Sequence, residues 1–191
     1  MTVTALDQTT ALIVVDLQQS VSLLPTQHSF SGIVENTNLL VDAFHARGLP
    51  VVFVTVEGGA PGRNEARRPG GQRPDGWADL IPELHWLPED IGVVKHTWGA
   101  FTKTGLHDKL AALGVTQVVI VGVATSAGVE STARQAHEHG YNVTLATDAM
   151  SDMSIETHEN SVTRIFPRIG ETGTTQEILN LLDTHLLDTR D

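Results

Sequence analysis

The sequence predicts an α/β protein, a single-domain three-layer sandwich in which helices cover both faces of a central, mostly parallel sheet. Three observations predict it. Five short apolar runs, ALIVVD (11–16), PVVFVTVE (50–57), IGVVK (91–95), QVVIVGV (117–123) and NVTLATD (142–148), are rich in Val, Ile and Leu. They lack the in–out alternation of a half-exposed strand, as strands buried on both faces do. Longer stretches with helical spacing separate them, which is the cadence of a doubly wound sheet. With 191 residues, the chain has the length of one domain able to bury a real core. That domain is expected to span 1–191, with its core at about 10–185.

The elements follow in order. After the first strand, Ile33, Thr37, Leu40, Val41 and Phe44 recur on one helical face, and Gly48-Leu49-Pro50 stops the pattern. A second helix over 104–113 carries Leu106, Leu110 and Leu113 and ends at Gly114. A third covers 126–139 and ends at Gly140; a fourth covers about 155–165 and closes before Pro167. The last begins near Thr174, where TTQE offers a capping box, and presents Ile178, Leu179 and Leu182. One segment breaks the cadence. EGGAPGRNEARRPGGQRPDG (57–76) holds six Gly, three Pro and four Arg, which no helix or central strand tolerates. A long loop leaving the end of a strand is a place where α/β proteins put ligand contacts. Arg63, Arg67, Arg68 and Arg73 are therefore candidate carboxylate or phosphate contacts.

Composition excludes whole classes of function. A net charge of −11 argues against a nonspecific nucleic-acid binder and against docking on an anionic membrane. No apolar run approaches the roughly 20 residues that span a bilayer, and the first residues, MTVTALDQTT, do not read as a targeting leader. The chain has no cysteine, so neither disulfides nor thiolate chemistry are open to it. A cytoplasmic protein acting on a small molecule is the expectation.

Chemistry concentrates at strand ends. Asp16 follows LIVV, Lys95 follows GVV, and the small-residue turn ATSAG (124–128) follows VVIVGV. In an open parallel sheet these carboxyl ends share one rim, so distant residues converge there. Singly, an Asp or Lys at a strand end is usually a cap or a solvated group. Jointly they suggest a carboxylate beside an ammonium, lining one pocket with the turn. Gln18, Trp98 and Phe101, close after these strands, are the further candidates for substrate contact. No metal or cofactor motif is present: HExxH, a P-loop and a dinucleotide fingerprint are all missing, and His137 and His139 lie two apart on a helix.

ALIVVDLQQS, VVKHTWGAFTKTGLHDKLAALGVTQVVIVG, GVATSAGVESTARQAHEHGYNVTLATDAMSD and the tail PRIGETGTTQEIL together resemble the isochorismatase-like, or cysteine hydrolase, superfamily. The resemblance runs from about 10 to 185. It implies the isochorismatase-like hydrolase fold, with Asp16 and Lys95 as two members of the catalytic triad. It also implies a cis peptide between Val123 and Ala124, an oxyanion site formed by the Ala124 and Gly128 amides, and a homodimer or larger assembly. The family's amide hydrolases carry cysteine in GVxTxxCV; that position here is Gly128. The family's metal-binding pattern is not recognisable in VTVEGGAPG.

A covalent cysteine amidase is thereby excluded, because no atom remains to form the acyl intermediate. Thr125 and Ser126 are poor substitutes, each needing a general base of its own. Three accounts stay open. The chain can cleave a vinyl ether such as isochorismate, with Asp16 donating the proton. It can hydrolyse another small metabolite through water activated by Asp16. Or it can be a binding protein that kept the pocket and lost the chemistry.

Overall fold

The computed structural model describes residues 2–65 and 73–188, so Arg67 and Arg68 lie outside the described residues. Six strands, β1 (Thr10–Val15), β2 (Val51–Val56), β3 (Ile91–Lys95), β4 (Gln117–Val123), β5 (Asn142–Ser151) and β6 (Glu171–Gly173), form one sheet. Their order is β3-β2-β1-β4-β5-β6, and every neighbouring pair is parallel. Val14 stands opposite Phe53 on one side and Val121 on the other. All six residues of β1 and all seven of β4 are buried, which is why their sequences show no alternation.

The helices are α1 (Gln19–Ser22), α2 (Phe30–His45), α3 (Leu106–Ala112), α4 (Glu130–Glu138), α5 (Ile155–Asn160) and α6 (Thr175–Asp188). Alternate strand residues feed two cores. Leu12, Val14, Val119 and Val121 pack with Ile33, Leu40 and Phe44 of α2 and Ile178 and Leu182 of α6. Ile13, Val15, Val118 and Ile120 pack on the opposite face with Leu106 and Leu110 of α3 and Ala133 and Ala136 of α4. Ser29 caps α2 by accepting a hydrogen bond from the Gly32 amide.

Three features depart from the sequence expectation. The helix expected over 126–139 begins as a wide π turn over 125–129, with regular winding only from Glu130. The helix expected to 165 stops at Asn160 and continues as a π turn and then a 3₁₀ turn. β5 runs past its expected end at 148 to Ser151, with a register shift against β4 between Ile120 and Gly122. Gly122 has φ 118 there, and a Cβ at this position would collide with the Val15 carbonyl. Only glycine lets the two central strands close up at that point.

Candidate active site

The strand order reverses between β1 and β4, the crevice where open α/β sheets place ligands. Asp16 leaves β1 with φ 55, a left-handed conformation rare outside glycine. Its carboxylate meets Lys95, the last residue of β3, two strands away. The Lys95 Nζ donates to Asp16 Oδ2 at 2.8 Å and to the Trp98 carbonyl at 2.6 Å. Both side chains are closed to solvent, with Asp16 6% and Lys95 1% exposed. Asp16 Oδ1 has no hydrogen-bond partner among the described residues. Burial pushes the Asp16 carboxyl up to about 6, while the charge and hydrogen bond of Lys95 pull it down.

β4 delivers the third position. The Val123–Ala124 peptide is cis, and the wide turn that follows lays Gly128 against the pair. A Cβ at Gly128 would sit 3.0 Å from Asp16 Oδ2, 3.0 Å from Val15 Cγ1 and 3.4 Å from Lys95 Nζ. The place where the resemblance puts a thiol thus adjoins both charged groups and carries only hydrogen. Thr132 ties this turn to the segment after Lys95: its hydroxyl donates to the Gly128 carbonyl at 2.7 Å and accepts from the Ala100 amide at 3.1 Å.

A cavity of about 810 Å³ lies between the loop after β2, the turn after β3 and α4. Arg63, Asn64, Arg73, Thr97 and Trp98 are among its walls. Asp16 and Lys95 are not on those walls; the link is Trp98, whose carbonyl holds Lys95 and whose side chain is largely exposed. The Arg73 guanidinium stacks 3.9 Å above the Trp77 ring centroid.

Two of the residues expected at the substrate lie in the scaffold. Gln18 is fully buried and bridges β1 to β2: its Oε1 accepts from the Val56 amide at 2.7 Å, and its Nε2 donates to the Val56 carbonyl and to Ser20 Oγ. Its amide is committed to the scaffold. Phe101 turns inward and stacks near His139 and Tyr141, with ring centroids 5.3 and 6.0 Å away. It belongs to the core shared by α3 and α4, because the Phe101 amide is drawn to Gln135 Oε1 of α4.

Sequence reasoning missed the residues behind the turn. Asp152 Oδ2 accepts from the Ser126 amide at 2.7 Å, and His158 Nδ1 shares a 2.9 Å hydrogen bond with Thr125 Oγ1. Asp152 directly follows β5, so the strand-end rule that found Asp16 and Lys95 would have found it had the strand been drawn three residues longer. Among the described residues, no three His, Cys, Asp or Glu side chains gather to hold a metal ion, and no helix is long and apolar enough to cross a membrane.

A buried carboxylate–ammonium pair thus stands at the switch point of a parallel sheet, facing the glycine where the family resemblance places a thiol. The isochorismatase domain pattern matches residues 10–177, and the chain belongs to that family. It is 41% identical over 179 residues to the isochorismatase family protein YwoC of Bacillus subtilis (strain 168), covering 90% of this chain and 93% of YwoC. It is 38% identical over 184 residues to the isochorismatase family protein YecD of Escherichia coli O157:H7, covering 92% and 97%. The structure of an isochorismatase family protein from Burkholderia thailandensis superposes with a TM-score of 0.89 at 36% identity, covering 94% of this chain and 98% of that one.

Proposed function

We propose that this family member cleaves the vinyl ether of a small anionic metabolite, with isochorismate as the reference substrate, by acid catalysis without a covalent intermediate. The observation that carries the reading is Gly128: a bare backbone 3.0 Å, measured at its would-be Cβ, from a carboxyl whose proton affinity burial has raised. A thiol enzyme needs the missing atom; a proton donor does not.

No nucleophile from the protein is needed, because water is the attacking group. Neutral Asp16 transfers its proton to the terminal enol carbon, and the ether oxygen's lone pair forms the oxocarbenium ion. Lys95 stabilises the carboxylate left behind. Water adds to the cation and returns a proton to Asp16. The hemiketal then breaks its carbon–oxygen bond, giving pyruvate and an alcohol. Developing oxygen charge at that step falls to the Ala124 and Gly128 amides. Arg63 and Arg73 suit the substrate's carboxylates, and Trp98 supplies a flat wall for its ring.

The test offers isochorismate and small amides in parallel and reads pyruvate and ammonia separately. Pyruvate release lowered roughly 100-fold or more by Asp16→Asn supports the proposal. Ammonia release instead would move the function to amide hydrolysis through activated water, and tight binding with neither product would make the chain a binding protein.

A further inference from the structure

We propose that His158 and Asp152 are positioning residues that hold the 124–129 turn against Asp16, and that protonation of His158 loosens that hold. The proposal rests on the reading of this turn as part of the reaction site.

A Cβ at Gly128 would lie only 3.0 Å from Asp16 Oδ2, and this glycine sits in a π turn, a rare winding often found at functional sites. Side chains from the β5–α5 connection and from α5 itself brace that turn. Asp152 is buried with both oxygens engaged, Oδ2 by the Ser126 amide at 2.7 Å and Oδ1 by the Met153 amide at 2.8 Å. His158 of α5 is buried against Thr125, itself fully buried, and the 2.9 Å hydrogen bond between them is the hydroxyl's tie to the neighbouring connection. His28, from the connection between α1 and α2, packs on His158 with ring centroids 4.7 Å apart, and its Nδ1 meets Ser151 Oγ at 3.0 Å. The turn after β4, helix α5 and the α1–α2 connection therefore meet at two imidazoles.

A neutral imidazole can accept the Thr125 hydroxyl proton at Nδ1; an imidazolium can only donate, so the hydroxyl must turn to accept and its own proton must find another acceptor. Burial first, and His28 second, hold His158 below the usual histidine range. The groups that face it and favour its charged form are Asp152 at the end of β5 and Glu159 on its own helix. Glu130 of α4 is occupied by Ser161 Oγ and Arg134. The sign follows. The folded chain holds this proton less well than the unfolded one, so the stability given by neutral His158 is complete above about 6.5 and is lost as pH falls below it. Asp16 gains its proton over the same acid side, so the site needs one group protonated and the other not.

The deciding experiment is an NMR pH titration of the free, full-length protein, repeated in Asp16→Asn so that the carboxyl is silent. The Thr125 and Ser126 amide shifts are expected to follow the midpoint of the His158 ring. In His158→Asn, which keeps a hydrogen-bonding atom near the Nδ1 position without a titrating proton, they should go flat. His28→Ala removes one lowering cause and should raise the His158 midpoint. With isochorismate, His158→Asn should keep kcat within about threefold, while His158→Leu loses roughly tenfold or more in kcat at nearly unchanged KM. Amides that stay flat while His158 titrates, or a His158→Leu chain with full turnover, would overturn the proposal. If the parent chain does not turn over isochorismate, the function proposed above fails, while the amide titration still decides this one.

Discussion

Replacing Lys95 by Met removes a buried ammonium and keeps most of the side-chain volume. In the folded chain the Asp16 carboxyl stands at about 6 against an ordinary 3.8, the balance of burial pushing up and Lys95 pulling down. That balance corresponds to about 3 kcal/mol. Removing the ammonium leaves burial unopposed among the named causes. At an effective dielectric of about 20, an ammonium 2.8 Å from a carboxylate oxygen is worth about 6 kcal/mol, an upper limit once the site relaxes. The proton affinity of Asp16 should therefore rise at least about tenfold, keeping half or more of it neutral at pH 7. The assay is the pH dependence of kcat/KM for pyruvate release. An acid catalyst loses about tenfold in rate per pH unit above its pKa. The alkaline limb should start near 6 in the parent and near or above 7 in Lys95→Met, on a lower plateau because the carboxylate formed by proton donation has lost its partner. Folding stability shifts in the same sense. A raised carboxyl binds its proton in the folded chain where the unfolded chain has lost it, so stability falls as pH rises from 3.8 to about 6 and is flat above. In the variant that fall should extend to higher pH. A limb that stays near 6 would refute Asp16 as the acid held by Lys95.

Gly128→Ala puts a methyl 3.0 Å from Asp16 Oδ2, and kcat should fall roughly tenfold or more while circular dichroism stays unchanged; unchanged turnover would mean that the space beside the carboxyl has no part in the reaction. Gly128→Cys should give a thiol that iodoacetamide labels and, with small amides, detectable ammonia. Gly122→Ala combines a left-handed φ with a collision against the Val15 carbonyl and should destabilise by about 3–5 kcal/mol, lowering Tm by about 10 °C; a parent-like Tm would show that β1 and β4 can move apart at no cost.

The sheet and the pair were legible in the sequence because each rests on a local pattern. Unbroken Val/Ile runs mark doubly covered strands, and a charged residue closing such a run lands on the common rim. Gln18 and Phe101 also follow strands, but their direction is set by partners that no spacing reveals: the Val56 backbone for one, the Gln135 amide for the other. Asp152 was hidden by the register shift at Gly122, which lengthens β5 beyond its apolar run. His158 shows no sign in its own helix, because its partners come from the connections after α1 and after β4.

The glycine at 128 also bears on how such a site changes over generations. A glycine codon ending in a pyrimidine becomes a cysteine codon when its first base changes. Here Asp16 and Lys95 already flank that position, and a side chain there needs Asp16 and Val15 to give by a few tenths of an ångström. A bare glycine and a thiol beside the pair are therefore mutational neighbours on this scaffold. A lineage can pass from one to the other, in either direction, without rebuilding a strand.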